Sequence, residues 1–171
     1  RALGCLGSAE AIELLLMVME SHNLFLRDAA ADALGNIGQA AIWPLVERLT
    51  HRWHISTNAS ARQATVRALT LIGEPAISPL IARLQEENLE ISSCPVIGEA
   101  LGGIGKQAVA ELLGHLTDGN WAVRAAAGIA LKELGKSDVE YVITWLKSRH
   151  ENIQELAASA LGQIGDPRAV E

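Results

Sequence analysis

Ala33-Leu34-Gly35-Asn36-Ile37-Gly38 returns as Ala68-Leu69-Thr70-Leu71-Ile72-Gly73, Ala100-Leu101-Gly102-Gly103-Ile104-Gly105, Ala130-Leu131-Lys132-Glu133-Leu134-Gly135 and Ala160-Leu161-Gly162-Gln163-Ile164-Gly165, after a first copy from Ala2 to Gly7. The final glycines are 31, 35, 32, 30 and 30 residues apart. A period of that length fits one helical hairpin per unit, and such hairpins bury their apolar faces only by stacking. The expected fold is all-α, a right-handed α-solenoid of stacked antiparallel helical hairpins. It forms a single array over residues 1–171, with five complete hairpins at about 8–38, 39–73, 74–105, 106–135 and 136–165 and partial units at both ends. Arg1-Ala2-Leu3 reads as the tail of a second helix and Glu171 as the start of a first, so a segment of a longer array is expected. Ends that pair with other copies are the alternative.

With each final glycine as position zero, the second helices are expected over 24–37, 60–72, 91–104, 121–134 and 152–164. Positions −12, −8, −5, −4 and −1 are almost all apolar, as in Leu26, Ala30, Ala33, Leu34 and Ile37, which is the stripe of a helix with one buried face. Gly38, Gly73, Gly105, Gly135 and Gly165 are read as helix stops, where only glycine takes a left-handed conformation without steric cost. Glycine also recurs at −3, as Gly4, Gly35, Gly102 and Gly162, and predicts close helix packing in the last turn.

The first helices carry their own signals. Pro75 and Pro167 suit a first helical turn, and Ser137 with Glu140 reads as a capping box. Pro44 and Pro79 are expected to bend the helices that contain them.

Apolar residues make up 49% of the chain and aromatics only 4%, so the core must be built from Ala, Leu, Ile and Val. A net charge of −6 argues against a general nucleic-acid binder, which needs surplus cations on one surface. No run of 18 apolar residues is long enough to span a bilayer, and a cytoplasmic protein is expected. Cys5 and Cys94 lie three units apart, beyond the reach of a disulfide, and are read as free thiols.

A proline-bent first helix, a second helix carrying (Val/Leu)-Arg ahead of Ala-Leu-x-x-Ile-Gly, and the restart Gly165-Asp166-Pro167-Arg168-Ala169-Val170-Glu171 together resemble the HEAT family, in particular the short HEAT-like repeats named after the phycobilisome lyases. The resemblance covers nearly the whole chain and is specific for fold. It implies that Arg27, Arg62 and Arg124 at −11 are structural, pairing with acceptors at −17 in the turn, where Ser21, Ser56, Asn88, Asp118 and Ser148 stand. Unit three departs with Ser93-Cys94-Pro95 and unit five with Ile153-Gln154. Pro95 should delay the start of its helix, with Ser93 as its cap.

Catalytic signals are missing from the sequence, and no enzyme, cofactor or metal is expected. Glu47, His51 and His54 share one helical face but lack a fourth ligand, and a solvated helix end explains them better. The HEAT-like di-iron hydroxylases carry His-Glu pairs where this chain has Asp28-Ala29, Gln63-Ala64, Pro95-Val96, Ala125-Ala126 and Glu155-Leu156. No phosphate-loop or nucleophile-elbow motif occurs, and Gly102-Gly103-Ile104-Gly105 belongs to the repeat.

Recognition remains. The outward stripe of the second helices, at −13, −10, −6 and −3, is the expected concave binding face. It includes Phe25, Asp28 and Asp32 in unit one, Gln63 and Arg67 in unit two, and Glu99 with Gly102 in unit three; Ala122, Ala125, Ile129 and Lys132 follow in unit four and Glu155 in unit five. The stretch Thr50 to Asn58 lengthens unit two and offers Arg52 and Trp53 as interface residues. Trp43, Trp121 and Trp145 are expected to pack between helices. The reading is a protein-binding scaffold or adaptor whose partner is another protein, not nucleic acid or membrane, with end-to-end self-association as a further contact. The alternatives are a subunit of a bilin lyase or isomerase, for which Arg67 and Lys132 are the available groove cations, and a regulatory array fused to an NTPase or kinase.

Overall fold

The computed structural model describes residues 9–50, 59–86, 89–118 and 120–165. Among these, the α-helices are α1 (Ala9–Val18), α2 (Leu24–Ile37), α3 (Ile42–Thr50), α4 (Ala59–Ile72), α5 (Ile77–Leu84), α6 (Ser93–Ile104), α7 (Lys106–Gly114), α8 (Trp121–Gly135), α9 (Val139–Thr144) and α10 (Glu151–Ile164), with no strand between them. Odd numbers are first helices of a hairpin and even numbers second helices, so the fold is an α-solenoid. No helix in the described residues is long and apolar enough to cross a membrane.

Neighbouring second helices pack closely along their length, whereas first helices touch one another sparsely. That asymmetry puts α2, α4, α6, α8 and α10 on the inner side of the stack. The −4 leucines carry the core: Leu34, Leu69, Leu101 and Leu131 are completely buried, and the cluster runs without a break from Ile12 in α1 to Leu161 in α10.

Glycine sets how near the helices come. A Cβ on Gly102 would stand 2.6 Å from the Ala130 carbonyl oxygen, and one on Gly98 would stand 2.6 Å from that of Ala126. Both glycines lie one turn apart on the face that α6 turns to α8. A Cβ on Gly35 would meet the Leu71 Cβ at 2.7 Å, but one on Gly162 would meet none of the described residues within 4 Å. Gly38, Gly73 and Gly105 stop their helices at φ of 74°, 74° and 121°, and Gly165 at 67°. Gly135 corrects the expectation for its column: it has no positive φ and remains within α8, where a Cβ would collide with Ile164. It is a packing glycine at the last position of α8, and Lys136 is the cap.

Other start signals resolve differently from the sequence reading. Asp138, not Ser137, caps α9 by accepting from the Tyr141 N–H at 3.1 Å, while the Ser137 hydroxyl donates back to the Leu134 carbonyl. Pro44 and Pro79 are not mid-helix as expected, because 3₁₀ turns at Gly38–Ala41 and Glu74–Ala76 give way to α3 and α5 only two residues before each proline. Each ring therefore falls in a first α-turn, where its missing N–H costs little. Helix α6 starts two residues before Pro95, and Ser93 is no cap; it is buried and its hydroxyl donates to the Leu49 carbonyl. Trp43 and Trp121 are each 52% exposed and so do not pack between helices, while Trp145 lies edge-on to Tyr141 with 6.0 Å between ring centroids. Cys94 is a free, buried thiol, and burial raises its pKa; Cys5 lies outside the described residues.

A signal the sequence reading passed over is asparagine at −15. Asn23 accepts from the Phe25 and Leu26 N–H groups at 3.0 and 3.4 Å, and Asn120 from Ala122 and Val123 at 2.8 and 3.5 Å. Asn120 also donates through Nδ2 to the Leu84 carbonyl at 3.1 Å, tying α8 to the first helix of the unit before it. Asn120→Ala is expected to cost about 2 kcal/mol, the sum of a cap and a carbonyl left without its partner. Asn120→Asp keeps the cap and should cost roughly half of that, which urea unfolding of both variants would check.

Candidate functional site

The inner faces of α2, α4, α6 and α8 enclose a groove of about 750 Å³. Arg27, Asp28, Ser60, Gln63, Arg67, Thr70, Glu99 and Glu133 supply its polar lining, and Leu24, Val66 and Leu71 are among its apolar lining. A second depression of about 360 Å³ follows between α8 and α10, formed by Trp121, Ala125, Gly128, Ile129 and Leu156 with Arg124 and Gln163 at its margin. The two lie along the same layer of second helices.

The lining follows the expected stripe at −10 and −6, and at −3 through Thr70, but departs from it elsewhere. Gly102 and Ala122 are buried, and residues at −2, namely Leu71, Gly103 and Glu133, reach the groove instead. The close approach of α6 to α8 turns −3 inward there and exposes −2. Asp28, Gln63, Arg67 and Glu99 line the larger groove, and Ala125 and Ile129 the smaller one. Phe25 is 84% exposed but lines neither, and Lys132 is likewise outside both linings. Arg52 and Trp53, with His51, His54 and Ser56, lie outside the described residues. Among the described residues no group of three or more His, Cys, Asp or Glu is placed to hold a metal.

Charges along the layer are paired from one unit to the next. Arg67 Nε and Nη2 donate to the two Asp32 oxygens at 2.9 and 3.2 Å. The hydrogen bond and charge of Asp32 raise the Arg67 pKa, and the charge of Asp28 adds to this. Arg124 Nη2 donates to Glu155 at 3.1 Å and to Asn152 Oδ1 at 3.2 Å. Glu133 is paired with Lys136. Arg67 and Arg124 thus serve as ties between second helices.

The −11 column divides accordingly. Arg27 is 8% exposed and donates to the Ser21 carbonyl at 3.2 Å. Gln154 takes the equivalent place in unit five, donating to the Ser148 and Leu146 carbonyls at 2.9 and 3.2 Å. Arg62 is partly buried, and its Nε has no hydrogen-bond partner among the described residues. Arg124 departs from the turn pairing expected of it: it is exposed and ties its helix to the neighbouring one. The acceptors Asn152 and Glu155 on α10 draw it outward, a difference that its own unit's sequence does not encode.

The HEAT repeats family pattern matches residues 109–171, and that of the PBS lyase HEAT-like repeat matches residues 26–51. No curated protein matches the chain. Similar solved structures include an engineered protein, 22% identical, with 99% of this chain and 54% of that one covered and a TM-score of 0.32. A designed armadillo repeat protein is 18% identical, with 96% of this chain and 91% of that one covered and a TM-score of 0.29. The chain spans about half the length of the engineered protein. With two family patterns on separate units of one continuous helical stack, residues 26–51 and 109–171 are identified as HEAT-like repeats.

Proposed function

We propose that this array is a non-catalytic scaffold that holds a partner protein along the inner face of its second helices. The observation that carries the reading is the run of groove and apolar depression across those helices, from Leu24 to Leu156. Trp121 and Ile129 leave apolar surface open to solvent within a concave lining, which is how protein-binding surfaces anchor a partner side chain. A bilin lyase role is less well supported, because an anionic tetrapyrrole would have to break the two-point bond between Arg67 and Asp32 to use that cation.

Partner capture by the wild-type chain and by Ile129→Asp tests the proposal. The expected result is loss of the specific partner with an unchanged helical circular dichroism spectrum, since a carboxylate placed in the apolar depression costs at least tenfold in affinity. Equal capture by a folded Ile129→Asp variant would remove the inner face from consideration.

A further inference from the structure

We infer that the segment held in the groove is basic and ends in a bulky apolar residue, with its basic residues over α2 to α6 and the apolar one in the depression between α8 and α10. This rests on the scaffold reading above and goes further by assigning the partner's chemistry.

Arg67 is held at two points by Asp32, and Arg27 is buried against the Ser21 carbonyl. Asp28 and Glu99 also line the groove, yet neither has a hydrogen bond or ion pair to another described residue. A cation entering the groove finds Glu99 unengaged and Asp28 held only by its charge interaction with Arg67, which is already bonded to Asp32, whereas an anion must first displace Asp32. The chain's net charge of −6 favours the same sign of partner at longer range.

The apolar end has a different chemistry. Trp121, Ala125, Gly128, Ile129 and Leu156 surround a depression whose neighbouring cation, Arg124, is tied to Glu155 and Asn152. Gly128 keeps the floor low, since a Cβ there would approach the Leu156 Cδ2 to 3.3 Å. A Leu, Phe or Trp side chain fits this surface, and a charged one would be desolvated without a partner.

Order along the partner follows from helix spacing. Second helices packed about 8–10 Å apart put Glu99 two spacings, roughly 20 Å, from Asp28, and the depression between α8 and α10 another 10–15 Å on. At about 3.3 Å per residue of extended chain, this spaces the basic residues roughly six apart and places the apolar residue about four beyond. The exposed amides of Gln63 and Gln163 can hydrogen-bond the backbone of such a segment.

The test uses the 171-residue protein as bait for a displayed library of random peptides about 16 residues long. Enriched peptides are then made with a fluorescein label and measured by anisotropy. The expected result is enrichment of Lys or Arg followed by a large apolar residue at about the stated spacing. Binding should weaken at least tenfold with Asp28→Asn plus Glu99→Gln, weaken as salt is raised, and be lost with Ile129→Asp. Peptides lost with Ile129→Asp but lacking basic residues, or bound equally by the carboxylate variants and at high salt, would overturn this inference and leave the groove as a docking site. If no enriched peptide depended on Ile129, the scaffold reading and this inference would both fail.

Discussion

Gly102→Val is expected to destabilise the protein by about 3 kcal/mol and to split its unfolding into two steps. The new Cβ would lie 2.6 Å from the Ala130 carbonyl oxygen and 2.7 Å from the Glu133 Cβ, so relief requires backbone movement at the α6–α8 contact. Overpacking of that kind costs about 1–3 kcal/mol and more where backbone must shift, and the small helix-propensity gain over glycine does not offset it. In a stack each unit is stabilised mainly by its neighbours, so weakening one interface uncouples the helices on its two sides. Calorimetry should show one transition for wild type and two for the variant. Gly162→Ala is the control: none of the described residues lies within 4 Å of its Cβ position, and removing a helical glycine should stabilise by roughly 0.5–1 kcal/mol. A Gly102→Val protein as stable as wild type would show that α6 and α8 are not held at this distance.

Leu69→Ala and Leu71→Ala, two residues apart on α4, are expected to differ by about 3 kcal/mol. Leu69 is fully buried, and removing its branched end leaves a cavity among the second helices; such truncations cost about 3–5 kcal/mol where the site cannot collapse. Leu71 is 54% exposed at the groove, and its Cβ, the atom nearest the Gly35 position, survives the change to alanine. That variant should lie within about 0.5 kcal/mol of wild type. Urea midpoints with unchanged m-values would measure both. Similar losses at the two positions would mean that the inner layer is rotated relative to the arrangement described.

Helix positions were legible because local rules determine them. The second helix expected over 24–37 occupies Leu24–Ile37, and the one expected over 121–134 occupies Trp121–Gly135. A 3.6-residue apolar period and a terminal glycine are both contained within one unit. Caps were half legible: asparagine at −15 was present in the sequence, while the choice of Asp138 over Ser137 depended on the local backbone path.

The site was less legible, because it depends on contacts one repeat away. Whether a −11 arginine turns inward like Arg27 or outward like Arg124 depends on the acceptors that the next helix presents. Whether Arg67 is available to a ligand depends on Asp32 in the preceding unit, and whether −3 or −2 faces the groove depends on how closely glycines let α6 approach α8. By itself the sequence determined the repeat, the helices and the leucines that face inward, since these follow from periodicities shorter than one turn of the stack. Only the tertiary structure decided that Gly135 packs instead of stopping its helix, which charges are already paired, and which residues line the groove. Those outcomes are set by distances between helices about thirty residues apart, and these follow from side-chain volumes on both partners at once.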